Sequence, residues 1–387
     1  MTLANYDFSQ SVKDQDAYKK LKEIGFPTRK TEEFREFDID NILSNVYKLN
    51  CDKKIEVAEY IKDKNFYTLF IANGMIDFVH SDLPQCISFK TKHKNTLESS
   101  NSLYHLSEAF IEHDNILFIN DNLDKPLKIV NMYDARESFL PTCLHIKLKE
   151  GCKAEVIDLF ECICLDDSFV NINRVFYAEE NSMLNYVKLQ NLDLKSILIC
   201  NYIPKISKNA TFNSISIDLG ARTSLNITSV LLDEIYSSFS SDGIIRLDEH
   251  QRAGNIASME HKAEHTNSNI TCKHILDDSS RALFEVKSIV KHDAKFSKTF
   301  QNSQTILLKD GARINANPKL ILDTDELEAS HGATTGSLNE DELYYLMSRG
   351  IDEKKSTRIL INAIELQVID KIENELVREL ALKFIEG

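Results

Sequence analysis

The sequence predicts a mainly β protein, with a helical segment at each end of a long strand-rich body. Two observations carry that expectation. From about residue 66 to residue 336, short apolar segments alternate with polar ones, often with a period of two. Small polar turns punctuate these segments, and no helical pattern stands between them. Such units fit a β-solenoid or a β-sandwich. The uneven turn spacing favours a β-helix, because sheets stacked coil on coil tolerate turns of different lengths.

The first region, residues 1–65, reads as helical. Ala17, Leu21 and Ile24 share a helical face, and Gly25-Phe26-Pro27 ends that helix, since proline cannot continue it. A charged turn, Thr28-Arg-Lys-Thr-Glu-Glu33, leads to Phe34 and Phe37, and residues 54–63 form a further short helix candidate. The second region, residues 66–336, begins with Leu69-Phe-Ile-Ala-Asn-Gly74. Its alternation is clearest at Leu144-His-Ile-Lys-Leu148 and Ile215-Ser-Ile-Asp-Leu219. Turns are expected at Lys149–Cys152, Glu180–Met183, Ser207–Ala210, Leu219–Arg222, Asp277–Ser280, His292–Ala294 and Lys309–Ala312. Stacking would pair every strand except those of the terminal coils, whose edges need a cap or a partner. The third region, residues 337–387, is helical. Asn339 and Glu342 have capping-box spacing, and Leu343, Met347 and Ile351 follow one face. Leu360, Ile364, Val368 and Ile372, then Leu376, Leu380 and Phe384, continue an amphipathic stripe. A stripe of this kind packs on its own protein's body or docks a partner.

Composition narrows the function. A net charge of −14 over 387 residues argues against nucleic acid and anionic membranes as partners. No apolar run approaches the roughly 20 residues of a membrane span. The first residues lack a basic region followed by an apolar one, so a cytoplasmic location is expected. The 8 cysteines are scattered without a Cys-x-x-Cys pair and read as free thiols. There is no Walker A loop and no Gly-x-Ser-x-Gly elbow.

Three candidate sites remain. His331 lies between small residues in Asp325-Glu-Leu-Glu-Ala-Ser-His331-Gly-Ala-Thr-Thr-Gly336, so its imidazole is accessible and suits iron or zinc. The acids Asp323, Asp325, Glu326 and Glu328 either assist it or form a solvated strand face. Cys162 and Cys164, two apart, would share a strand face, as paired thiolates or as two small core residues. His261 and His265 have i, i+4 spacing, but without the His-Glu-x-x-His pattern, and the neighbouring Asn267, Ser268 and Asn269 suggest a loop.

Several linked segments resemble the SufB/SufD family of iron–sulfur cluster assembly proteins. They are Glu260-His-Lys-Ala-Glu-His265, Gln301-Asn-Ser-Gln-Thr-Ile-Leu-Leu308, Ala316-Asn-Pro-Lys-Leu320, Ser330-His-Gly-Ala-Thr-Thr-Gly336 and Tyr345-Leu-Met-Ser-Arg-Gly-Ile351. Near the front, Gly25-Phe-Pro-Thr-Arg-Lys-Thr-Glu-Glu-Phe34-Arg is similar to the N-terminal motif of the SufD branch, with Phe34 where that branch usually has Trp. Ser330-His331-Gly332 has the SufD form, and Gly311 stands in the turn where SufB carries a cysteine.

The resemblance implies a right-handed parallel β-helix core flanked by N-terminal and C-terminal α-helical subdomains. It implies a non-catalytic scaffold that pairs with a SufB-like subunit through the β-helix end, or with itself when isolated. The C-terminal helices would dock SufC, an ABC-type ATPase. His331 matches a histidine that helps form a transient iron or iron–sulfur site at the SufB junction. Some SufD sequences have a cysteine two residues before it, where this chain has Ala329; Ser356 stands where alanine is usual. The competing classes are a β-helix enzyme acting on a polysaccharide, a purely structural subunit with an inert His331, and a SufB-like homodimeric scaffold.

Overall fold

The computed structural model describes residues 2–4, 8–35, 37–49, 55, 63–93 and 99–386. The helix candidate at 54–63 lies almost wholly outside the described residues. Two ten-stranded sheets form the body. One contains β1 (Lys48–Leu49), β4 (Ile87–His93), β5 (His113–Ile119), β7 (Ser138–Leu148), β9 (Phe169–Ala178), β11 (Ile197–Ile206), β13 (Thr223–Leu232), β15 (Arg252–His261), β17 (Arg281–Val290) and β19 (Arg313–Leu322). The other contains β2 (Tyr67–Ala72), β3 (Met75–Asp82), β6 (Leu127–Arg136), β8 (Lys153–Asp166), β10 (Met183–Gln190), β12 (Thr211–Asp218), β14 (Ser238–Leu247), β16 (Asn267–Leu276), β18 (Ser297–Leu307) and β20 (Leu327–Gly336). From β6 onward the chain alternates between the sheets, and each strand pairs in parallel with the strand one coil away. This is a β-solenoid, as the turn pattern led us to expect.

A coil spans 26 to 32 residues, read from the register of successive partners. Its turns reuse one backbone device. Gly151, Asn181, Asn209, Tyr236, His265 and Phe296 all have φ between 55° and 71° at equivalent places on one rim. Glycine and asparagine accept that left-handed conformation readily, whereas Tyr236, His265 and Phe296 do so at a steric cost. Stacking offsets part of the cost: His265 lies between Tyr236 at 4.9 Å and Phe296 at 5.1 Å.

Alternation sorts each strand into a lumen face and an outer face. Val156, Tyr186, Phe212, Phe239 and Ile270 point into the lumen core, while Ile157, Val187, Ile215 and Ile244 point outward into a separate cluster. The lumen also holds charge. Arg174 is fully buried and donates to Asp158 at 2.8 Å, and Tyr186 donates to the same carboxylate at 2.7 Å. Lys188 bonds to Asp218 at 2.6 Å and to Asn226 at 2.7 Å. Removing one member of such a pair strands a charge in the core, which costs far more than losing a surface pair.

Helices cover both outer faces. On the first sheet lie α1 (Gln15–Ile24), α2 (Ile39–Ser44) and α3 (Ser102–Ala109). Asp14 caps α1 by accepting from the Asp16 and Ala17 amides, and Gly25 closes it with a φ of 78°. Helix α3 was not legible as a helix: all of its residues are buried, polar Ser102, His105, Ser107 and Glu108 included, so apolar spacing does not mark its packed face.

On the second sheet lies the tail: α4 (Glu340–Ser348), α5 (Glu353–Ile369) and α6 (Glu375–Glu386). Its apolar stripe differs from the expected one. The buried face runs through Ile361, Glu365, Val368, Ile369 and Ile372, then Val377, Ala381 and Ile385, while Leu360 and Ile364 are half-buried and Leu376 is exposed. A charged residue sits within the true stripe. Glu365 is fully buried against Arg246 at 2.6 Å, and Arg246 also caps the Ile385 carbonyl. Burial pushes the Glu365 carboxyl up from the usual range, against the pull of Arg246. An unpaired reading of the sequence would never bury that glutamate.

The two ends of the solenoid differ. At the start, β3 pairs antiparallel with β2, and β4 pairs antiparallel with β5, so antiparallel strands close the first coil. At the other end β19 and β20 are the last strands of their sheets and have one free edge each. No helix of the described residues is long and apolar enough to cross a membrane.

Candidate functional site

The terminal coil, β19 with β20, presents His331. Strand β20 pairs only with β18, and His331 is in register with Gln301. Gln301 belongs to the lumen-facing set of β18, so His331 occupies the same lumen-facing position one coil further on. It is exposed, as are most residues of β20, because no coil follows.

Beneath it runs a chain of buried polar groups. The Gln301 amide donates to the Ser288 hydroxyl at 2.7 Å and to the Lys319 carbonyl at 3.1 Å. Thr299 links Ser288 to Ser268, and Ser268 meets His261 Nε2 at 2.8 Å. The lumen is therefore polar towards its open end, whereas the earlier coils are lined mainly by aliphatic and aromatic side chains.

The acids around His331 do not gather on it. Glu328 pairs with Lys298 at 2.8 Å, Glu326 with Lys295 at 3.3 Å and Asp323 with Lys291 at 4.0 Å. Glu328 also has the opposite parity to His331 and so faces the outer side of the strand. These acids form the solvated face that was the second of the two sequence readings.

The paired histidines separate. His261 is buried on the lumen side with both ring nitrogens engaged, Nδ1 by Thr266 at 2.7 Å and Nε2 by Ser268 at 2.8 Å. Burial pushes its pKa down to about 4. His265 stacks on the outer rim instead. The i, i+4 spacing assumed a helix; the chain turns between these residues, so they form no joint site.

Cys162 and Cys164 separate as well. The β6–β8 register shifts so that Cys162 opposes Tyr133 and Cys164 opposes Asp134, the residue next in line. Ile163 is the extra residue of this bulge and is 62% exposed. The expected common face is lost, because strict alternation fails across a bulge. Burial pushes up the thiols of Cys162, Cys200 and Cys272, which keeps them protonated and poor as ligands.

The N-terminal motif reaches the same end of the molecule. Glu32 meets the terminal strand β19, through Lys319 at 3.2 Å and Asn317 at 3.2 Å. Lys319 also pairs with the largely buried Glu285 at 2.7 Å. The Thr-Arg-Lys-Thr-Glu-Glu-Phe segment therefore braces the coil that carries His331. The sequence contains no local signal for that contact, which joins residues 285 positions apart.

A second exposed surface lies on the tail. Helix α4 has no buried residue, and Tyr344, Tyr345 and Met347 are 74%, 57% and 42% exposed. Asn339 caps the helix through the Asp341 and Glu342 amides, as its spacing predicted.

A two-sheet parallel solenoid with helices over both outer faces and an accessible imidazole at its open end places the chain among the β-solenoid proteins. Comparison with known proteins makes it specific. A family model described as "SUF system FeS cluster assembly, SufBD core domain" matches residues 131–364, well over half of the chain. This chain belongs to the SufB/SufD family. It is 25% identical over 241 residues to the iron–sulfur cluster assembly protein SufD of Escherichia coli, covering 62% of this chain and 56% of that protein. It is 27% identical over 204 residues to an iron–sulfur cluster assembly SufBD family protein of Synechocystis, covering 53% and 45%. It is 32% identical over 112 residues to Bacillus subtilis SufD, covering 29% and 26%. The chain thus spans about half the length of the first two of these relatives.

Proposed function

We propose that this protein is a non-catalytic scaffold subunit of a SUF-type iron–sulfur assembly complex, with three regions at residues 1–65, 66–336 and 337–387. Its terminal coil pairs with a SufB-like subunit, and its tail docks a SufC-like ATPase. The observation that carries the reading is His331 on the lumen-facing register of a strand with a free edge. A sister solenoid adding strands to β19 and β20 would satisfy both edges and bring its own ligands towards the imidazole.

The cluster is cargo in this reading, built at the junction and then released. A neutral imidazole contributes one moderate bond to iron, and thiolates and carboxylates of the sister subunit supply the rest. Sparse ligation from this side suits release. Docking of the ATPase is supported by Tyr344, Tyr345 and Met347, large apolar side chains that stay exposed, with only Arg349 lying over the Tyr345 ring. Helices over both outer faces speak against a polysaccharide enzyme, which works along an exposed solenoid face.

The test is co-expression with a SufB-like and a SufC-like protein, followed by affinity purification and reconstitution with iron and sulfide. The reading expects a three-component complex, and a lower cluster yield from His331→Ala with the complex intact. Failure to co-purify, or an unchanged yield, would overturn it.

A further inference from the structure

At the opposite end of the molecule, three metal-binding side chains meet beneath α3. They are Asp114 on β5 with Cys143 and His145 on β7, and one ligand atom of each lies within 4.8 Å of the others. All three are buried, at 5%, 2% and 4% exposure. The fold explains the meeting. Cys143 and His145 are two apart on an unbulged strand, so they share its outer face. The β5–β7 register, which pairs Ile116 with His145, sets Asp114 beside Cys143 on that face.

The imidazole is held in place. Its ring stacks on Tyr177 with centroids 6.0 Å apart, and Nδ1 lies 3.5 Å from the Tyr177 hydroxyl. Nε2 lies 3.7 Å from Asp114 Oδ1, within ion-pair distance. A second observation points into the same space. The Tyr104 hydroxyl, on a residue 1% exposed, has no hydrogen-bond partner among the described residues. Cys143 and Asp114 are among the groups that act on it electrostatically.

We infer that Asp114, Cys143 and His145 form a binding site for a divalent transition-metal ion of the zinc class. One carboxylate oxygen, one thiolate and one imidazole nitrogen make a mixed set that zinc accepts, with a fourth position left for water or the Tyr104 hydroxyl. Metal–ligand bonds of about 2.0–2.3 Å require ligand atoms roughly 3.5 Å apart, so the three groups close by up to about an ångström on binding. The Cys143 thiol gives up its proton to solvent as its sulfur bonds the ion. The site is six strand spacings from β19, roughly 29 Å along the solenoid, so it is separate from His331 and does not depend on the proposal made for that residue. Its effect is to tie the first parallel coil to β5, where the helical cover meets the sheet.

The full chain, stripped with a chelator and titrated with cobalt(II), tests this. We expect one equivalent to bind with a thiolate-to-cobalt charge-transfer band. Cys143→Ser should abolish the band, and His145→Asn should weaken binding at least tenfold. His331→Ala should leave both unchanged. Circular dichroism checks that each variant is folded. If Cys143→Ser does not fold, X-ray absorption of the zinc-loaded wild-type chain decides, with a sulfur neighbour at about 2.3 Å expected. Absence of the band in the wild-type chain, a band that survives Cys143→Ser, or a zinc shell without sulfur would overturn the site. A parallel titration with ferrous iron shows whether zinc is the preferred ion; tighter ferrous binding would overturn the zinc assignment.

Discussion

Gln301 and His331 are register partners on the last two strands of the second sheet, one sealed in the lumen and the other open to solvent. The contrast arises only because β20 ends its sheet. Gln301 is 2% exposed and gives its amide protons to Ser288 and the Lys319 carbonyl, whereas His331 has no further strand of its sheet over it. The two side chains should therefore separate stability from the role proposed for His331. Gln301→Ala should cost about 1–3 kcal/mol, because Ser288 and the Lys319 carbonyl lose a buried partner. His331→Ala should stay within about 0.5 kcal/mol of wild type. Urea unfolding of the two variants measures both, and a large loss at His331 would show that it packs within its own chain.

Gly311 is a glycine of necessity. A Cβ there would lie 2.3 Å from the Asp278 carbonyl oxygen in the coil beneath. Gly311→Ala should destabilise by about 1–3 kcal/mol, through displacement of that turn. Gly336→Ala meets nothing within 4 Å and should be neutral in the isolated chain. The same unfolding measurement compares them.

The tail offers a test of its two faces. Ile361 is buried against the outer side of the second sheet, so Ile361→Ala should cost about 2–5 kcal/mol. Tyr345→Ala should leave the melting temperature nearly unchanged, since the ring is 57% exposed. If the outward face docks the ATPase, Tyr345→Ala combined with Tyr344→Ala should weaken that complex at least tenfold by calorimetry. Intact binding by a folded double variant would move the docking surface elsewhere.

Two buried histidines make stability fall with acid. Burial pushes both His261 and His274 down to about 4, from an ordinary value near 6.5. Between those values the unfolded chain binds more protons than the folded one. Their contribution is complete above about pH 6.5 and is lost as pH falls to about 4. Each histidine should add up to one proton to the uptake on unfolding, seen as a steeper loss of stability across that window. His274→Gln should flatten the slope by one proton, and an unchanged slope would mean that His274 is already charged in the folded state.

Much of the body was legible because its signals are local. Alternation at Leu144–Leu148 and the turns at Lys149–Cys152 or Lys309–Ala312 follow from strand pleating and backbone preference, which each segment expresses alone. The caps at Gly25 and Asn339 were legible for the same reason, whereas the Asp14 cap was not read. His331 stood out because small residues flank it. The errors have one cause in common. Cys162 and Cys164 lost their shared face to a bulge that only the partner strand β6 reveals. His261 and His265 parted because the chain turns between them. The tail stripe moved because Arg246, far away in sequence, makes a buried Glu365 tolerable.

The sequence by itself determined a chain of alternating strands and polar turns between helical ends, together with the family motifs it carries. The tertiary structure alone decided which end of the solenoid is capped, that Glu32 braces β19, and that Asp114 meets Cys143 and His145 under a wholly buried helix. Periodicity and turn preference act over a few residues and are written in order along the chain. Contacts between coils depend on register summed over about 30 residues at a time, and one bulge or one turn residue more changes which side chains meet.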